Sequence, residues 1–405
     1  MSSNDHSILM IPGPTEYHPD VLATLALPSL SHTSPQFIAE FSELLENFKR
    51  VLGTKNGQPL IVSGSGTLGW DIIAANLCEK NDRALVINTG YFSDSYATCC
   101  ETYGIKVCAN QIGASVELSE IEKKLKEATA DGVYKLICIT QVDTSTAVLN
   151  DVKSISQLCK QLSPTSLISV DGVCSFGGER FAFDDWKIDA AMTCSQKALG
   201  APPGLALLMF SQQSIDTFRQ RTTPVPTYYA NLNNWLPIMD AYANRKPSYF
   251  ATPNVNLIRS LNTSLKLLLD IGIENIVRLH EENAQKFRNI VIKSFDLKFV
   301  PTTDKNMANT LSAIYYPKEM TDEQRTKFLG LVKESQVVIA GGLHKKIKTE
   351  YFRVGHMGYS VWGGQQQHVV QTLKAIEKAL KESGHKINEI GKEDFLSFSC
   401  KTSKI

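Results

Sequence analysis

The chain has 405 residues, with 42 Lys and Arg against 41 Asp and Glu for a net charge of +1; 43% of it is hydrophobic and 20% charged. A chain of this length buries roughly three quarters of its unfolded surface and needs no disulfide or zinc staple to fold. The balanced charge excludes the broad positive field of a nonspecific nucleic-acid binder, and the composition excludes a disordered acidic tail.

No apolar run is long enough to span a bilayer, so no membrane association is expected. The start, Met1-Ser2-Ser3-Asn4-Asp5, has neither a basic nor a long apolar stretch, and no secretory signal is expected. The nine cysteines contain no C-x-x-C pair, which fits a reducing compartment and argues against a metal site or a disulfide framework.

In chain order, residues 1–20 read as an N-terminal arm. Over residues 21–265 short β-branched runs alternate with helical patterns. Strands are predicted at 59–62, 84–88, 136–140, 167–171 and 190–195, with helices near 94–103 and 152–162 between them. Such alternation implies βαβ units and a mainly parallel sheet, an α/β class whose ligands sit at the strands' carboxyl ends. Residues 266–383 change character and predict a smaller α+β domain. Long helices at 257–269 and 276–294 lead into it. Weaker strands follow at 297–300, 313–316, 337–340 and 351–354, interleaved with helices at 322–334 and 365–383. Residues 384–405 form a polar tail, expected to be loosely held.

Gly64-Ser65-Gly66-Thr67-Leu68-Gly69 matches the G-x-G-x-x-G pattern of dinucleotide binding. That reading requires an acid at the end of the next strand, where Asn88-Thr89-Gly90 stands instead. A Gly/Ser/Thr turn that opens a helix remains suited to a phosphate through its free backbone N–H groups.

Further candidates fall at strand ends in the same lobe. Tyr91-Phe92 follows one strand, Asp143-Thr144-Ser145-Thr146 the next, Asp171 ends a third, and Ser195-Gln196-Lys197 ends a fourth. Lys197 sits among small and apolar residues, where an unpaired cation is costly unless it serves as a reagent. A phosphate turn, an aromatic face, a carboxylate for a pyridine nitrogen and an amine for an aldehyde together match pyridoxal 5′-phosphate.

These segments resemble the class-V aminotransferases of fold type I. The likeness spans about residues 8–380 and rests on Ile11-Pro12-Gly13-Pro14, Ser63-Gly64-Ser65-Gly66-Thr67 and Asp143-Thr144-Ser145-Thr146. It rests equally on Val170-Asp171-Gly172-Val173-Cys174-Ser175, Phe352-Arg353-Val354-Gly355 and, most specifically, Ser195-Gln196-Lys197-Ala198-Leu199-Gly200-Ala201-Pro202-Pro203-Gly204. The resemblance implies a large domain with a mainly parallel seven-stranded sheet flanked by helices, plus a smaller α+β C-terminal domain. It implies Lys197 as the covalent attachment point and Asp171 as the partner of the pyridine nitrogen. Phosphate contacts are implied for Ser65, Gly66, Thr67 and Gln196, a ring hydroxyl contact for Thr144, and ring stacking for Phe92, where relatives often carry tryptophan. Arg353 is implied as binder of the substrate carboxylate, with Gly13 and Ser175 helping to orient substrate. Tyr249 and Thr252 fit a Tyr-x-x-Thr pair donated to the partner subunit's site, so a homodimer with shared active sites is expected.

The activity so implied moves an amino group from L-alanine to glyoxylate, with small amino acids and 2-oxoacids as substrates. Other donors, as in serine–pyruvate or kynurenine-type transamination, are the nearest alternative. Cysteine desulfuration, a nucleotide-binding oxidoreductase and a noncatalytic scaffold stand further off. His32, His344 and His356 read as structural, since Lys197 supplies a base. Ser403-Lys404-Ile405 resembles a peroxisomal address, which would add an import receptor as partner and place the chain in the peroxisome; the cytoplasm is the other expectation.

Overall fold

Strands Leu136–Thr140, Leu167–Asp171, Ala190–Cys194 and Leu205–Phe210 are buried at every residue, as strands covered by helices on both faces must be. They belong to a seven-stranded sheet in a computed structural model that describes residues 6–109, 114–388, 390, 391, 393, 395 and 398. Its spatial order is Gln58–Ser63, Leu205–Phe210, Ala190–Cys194, Leu167–Asp171, Leu136–Thr140, Arg83–Ile87, Lys106–Ala109. Leu205–Phe210 runs antiparallel to both its neighbours, and the remaining pairings are parallel.

Helices cover the sheet for local reasons. Pro35–Leu52 starts on the Ser34 cap, whose hydroxyl accepts from Phe37 N–H, and stops at Gly53 in the left-handed conformation (φ 68°). Its buried face, including Phe37, Phe41, Leu45 and Phe48, packs on helices Val255–Ile271 and Leu232–Ala243. The helix expected near residue 94 begins earlier, as Tyr91–Thr102. Phe92 therefore stands in its first turn, at the carboxyl end of the sheet.

A second core lies beyond the sheet. Phe287, Ile314, Phe328, Phe352 and Leu373 pack together from helices Ile273–Lys293, Asp322–Glu334 and Gln367–Glu382 and a three-stranded sheet. That sheet has the order Leu311–Tyr315, Tyr351–Gly355, Ala340–Gly341. The fold is thus α/β with a smaller α+β part, as the sequence implies.

Three expectations need correction. Residues 297–300 form no strand; only an isolated bridge joins Phe299 to Ile314. Residues 337–340 are two strands: Val337–Val338 pairs in parallel with Ile8–Leu9 of the arm, and Ala340–Gly341 pairs with Tyr351–Gly355. Residues 385–388, at the start of the stretch expected to be loosely held, are tied down. A ring nitrogen of His385 meets the Phe295 carbonyl at 2.8 Å, and Asn388 Nδ2 donates to the Lys293 carbonyl at 2.8 Å. Residues 403–405 lie outside the described residues. No helix among the described residues is long and apolar enough to cross a membrane.

Candidate active site

Parallel strands deliver their last residues to one edge, and Asp171 is the last residue of the central strand Leu167–Asp171. It is buried, yet both carboxylate oxygens are satisfied. Val173 N–H donates to Oδ1 at 2.9 Å and Trp70 Nε1–H to Oδ2 at 2.8 Å. Burial pushes its pKa up to about 6, while the two N–H donors hold it back; Asp143 pushes the same way as burial and Lys197 opposes it. Trp70 reaches Asp171 from helix Leu68–Leu77 and lies flat on Tyr96, with ring centroids 5.6 Å apart.

Lys197 follows the next strand in a turn closed by Gly200 N–H to the Lys197 carbonyl (2.9 Å) and Ala201 N–H to the Ser195 carbonyl (3.0 Å). Its Nζ donates to the carbonyl of Pro12. The N-terminal arm therefore forms part of the site. Gly13 is required where the arm passes: its φ is +88°, and a Cβ there would stand 2.5 Å from Lys197 Cδ.

Between these two groups lies a cavity of about 180 Å³. Ser65, Gly66, Thr67, Phe92, Thr144 and Gln196 line it together with Asp171, Lys197 and Trp70. Ser65 and Thr67 hydroxyls bond each other at 2.7 Å. The N–H groups of Gly66 and Thr67, just before the helix start, donate to no acceptor among the described residues. The Gln196 side-chain oxygen is buried without a partner, as is the Thr140 hydroxyl. Unpaired N–H groups, hydroxyls and an amide whose O and N are interchangeable by a flip form a cradle for a phosphate. A buried carboxylate and an amine at the other side complete a set that fits pyridoxal phosphate.

Arg353 does not line this cavity but borders it through Thr144. Its Nε donates to the Gly341 carbonyl at 2.8 Å and its Nη1 to the Thr144 carbonyl at 3.1 Å, leaving Nη2 without a hydrogen bond among the described residues. Burial lowers its pKa from the usual arginine value. The Thr144 loop is fixed by the wholly buried Asp143, which accepts from Ser93 N–H and Oγ (3.2 and 3.0 Å) and from Ser145 N–H and Oγ (2.9 and 2.6 Å).

Two groups of expected residues lie elsewhere. Ser175 does not reach the cavity: it is wholly buried, and its hydroxyl donates to Gln141 Oε1 at 2.7 Å. Tyr249 is 62% exposed, bonds Thr252 at 3.3 Å and does not line this chain's cavity. His356 is buried between Ser312 and the Asn309 carbonyl, with its pKa lowered to about 3 chiefly by burial, so its ring is neutral. Trp70 and Pro12 escape the sequence reading. Trp70 has a signal, since it follows Thr67 by one turn on a helix that opens at the site. Pro12 acts through its backbone, which no side-chain pattern reveals.

Residues 15–352 match the model of the family described as aminotransferase class-V. The chain belongs to the class-V aminotransferases. This aminotransferase is 40% identical over 388 residues to alanine–glyoxylate aminotransferase 1 of Saccharomyces cerevisiae, covering 92% of this chain and 97% of that one. Among solved structures it is similar to the alanine–glyoxylate aminotransferase of Nostoc sp. (TM-score 0.82, 25% identity, 94% of this chain and 96% of that one). Its fold also matches pyridoxamine–pyruvate aminotransferase from Mesorhizobium loti (TM-score 0.87, 23% identity, 98% of each chain). The cofactor of this aminotransferase is pyridoxal 5′-phosphate, as in its family.

Proposed function

We propose that this aminotransferase moves the amino group of L-alanine to glyoxylate, giving pyruvate and glycine, with donor and acceptor using one site in turn. The observation that carries the chemistry is the pairing of buried Asp171 and Lys197 across a single cavity that opens on a phosphate cradle. The likeness to the yeast enzyme over nearly the whole chain supports the choice of substrates.

When bound, the cofactor supplies an electron sink for the carbon that loses its proton. Ser65, Gly66, Thr67 and Gln196 would hold the phosphate, Phe92 would pack against the ring, and Thr144 would serve the ring hydroxyl. Asp171, kept anionic by Trp70 and Val173, holds the ring nitrogen charged. Lys197 is the attachment point at rest, and its Nζ is the base that takes the substrate Cα proton. Arg353 offers Nη2 to the substrate carboxylate beside the Gly13 backbone, and its planar fork stays charged. In this reading the arm of residues 1–20, the cofactor-holding part 21–265 and the smaller part 266–383 are the working units. A homodimer completes the site, with Tyr249 and Thr252 reaching the partner's phosphate. Ser403-Lys404-Ile405 serves as a peroxisomal address, which a fluorescent fusion with and without the tripeptide tests.

A half-reaction screen tests the substrates: L-alanine should bleach the bound cofactor's absorbance and glyoxylate should restore it. Bleaching by other amino acids but not alanine overturns the donor. Borohydride should fix the cofactor to Lys197, and Lys197→Ala with full turnover would remove its role.

A further inference from the structure

Tyr351 is wholly buried, and its hydroxyl makes three hydrogen bonds to backbone. It donates to the Ser145 carbonyl at 2.5 Å and accepts from Leu343 and His344 N–H, each at 2.9 Å. One donor and two lone pairs are all a phenol has, so its capacity is filled. These partners belong to two loops far apart in sequence, the one that carries Thr144 and the turn that follows Ala340–Gly341.

Arg353 bonds the same two loops. Its Nε takes the Gly341 carbonyl and its Nη1 the Thr144 carbonyl. Residues two apart on the Tyr351–Gly355 strand share a face, so both side chains stand side by side over the junction. The two sets of contacts fall close together: 144 and 145 in one loop, 341 and 343–344 in the other. A guanidinium is planar, so fixing Nε and Nη1 fixes the direction of Nη2, the nitrogen left for a ligand.

We infer that Tyr351 is a positioning residue for carboxylate recognition: its hydroxyl locks the Thr144 loop to the 341–344 turn and thereby aims Nη2 of Arg353. The inference rests on Arg353 as the carboxylate binder. Phenylalanine at 351 keeps the ring packing and leaves two N–H groups and one carbonyl without the group that joined them. The loops are then free to part, and the Arg353 fork loses its fixed aim.

The experiment compares holoenzyme of wild type, Tyr351→Phe and Arg353→Gln. For Tyr351→Phe the KM for alanine and for glyoxylate should rise about tenfold or more, as losing a buried network bond implies, with kcat changed by less than about threefold. The half-reaction with ethylamine, which has no carboxylate, should proceed at the wild-type rate. Propionate, a carboxylate without the amine, should raise the wild-type melting temperature and raise that of the variant less. A variant that slows alanine and ethylamine equally, or that leaves both KM values unchanged, overturns the inference. Arg353→Gln separates the two levels of argument. If it also leaves KM unchanged, the carboxylate reading itself fails; if it raises KM while Tyr351→Phe does not, only the positioning role fails. Should Tyr351→Phe not fold, Tyr351→His keeps a ring with a polar edge and is read by the same alanine-to-ethylamine ratio.

Discussion

Replacing Trp70 with Phe removes one of the two N–H donors that hold Asp171 ionised. A hydrogen bond to a buried charge contributes about 1.5–3 kcal/mol. At about 1.36 kcal/mol per pKa unit, its loss moves the titration of Asp171 up by about one to two pH units from the present value of about 6. The cofactor's ring nitrogen is held charged only by the carboxylate form. Binding to wild-type apoprotein should therefore be flat above about pH 6 and weaken about tenfold per pH unit below it. In Trp70→Phe the break moves up to about pH 7–8, so that at pH 7 the variant binds about two- to tenfold more weakly and recovers toward pH 9. The cofactor phosphate titrates near pH 6 as well. Asp171→Asn carries that phosphate titration without the carboxylate and supplies the baseline to subtract. The assay is cofactor titration of apoprotein, followed by absorbance, at half-unit pH steps. A break at the same pH in wild type and Trp70→Phe, after subtraction, refutes the reasoning.

Gly13→Ala places a methyl against the Lys197 side chain in a backbone region that favours glycine, and borohydride labelling of Lys197 should fall at least tenfold. Glu179 is wholly buried and pushed up to about 7, mainly by burial, although Asn309 donates to it. An acid raised in the folded state favours folding at low pH and disfavours it as pH rises. Stability relative to Glu179→Gln should thus fall by about 3 kcal/mol between pH 4.5 and 8, and parallel urea-unfolding curves across that range would count against it. If sites are shared, mixing inactive Lys197→Ala with a Tyr249→Phe/Thr252→Val double variant should regain activity above either alone, since a mixed dimer rebuilds one intact site; activity equal to the better parent counts against sharing.

Five of the seven strands of the sheet were legible because they are short, apolar and separated by helical periods; Lys106–Ala109 and Leu205–Phe210 are not among the predicted strands. The lining of the candidate cavity was legible wherever a side chain stands at a strand end, as with Asp171, Lys197 and Thr144. What escaped depends on direction, backbone or distance. Leu205–Phe210 escaped altogether, and because it is buried on both faces whichever way it runs, its antiparallel sense leaves no trace in composition either. Residues 297–300 have the hydrophobicity of a strand but join a neighbour through a single bridge. Ser175 follows Asp171 closely, yet the turn after the strand carries it beneath the floor of the cavity to Gln141. Tyr351 reads as one more buried aromatic until the Ser145 loop, 206 residues away in sequence, meets its hydroxyl.

The arm that supplies the Pro12 carbonyl has a chronological side. Ile8–Leu9 pairs with Val337–Val338, and the Met10 carbonyl accepts from Gly355 N–H, so residues 8–10 are seated by residues more than 320 positions later. A ribosome that has released the whole seven-stranded sheet has still not produced the shelf on which that stretch rests. A nascent chain can therefore own Asp171 and Lys197 long before the lysine's neighbour is in place, and a deletion of residues 8–12 would be felt first at the Lys197 side chain rather than in the core.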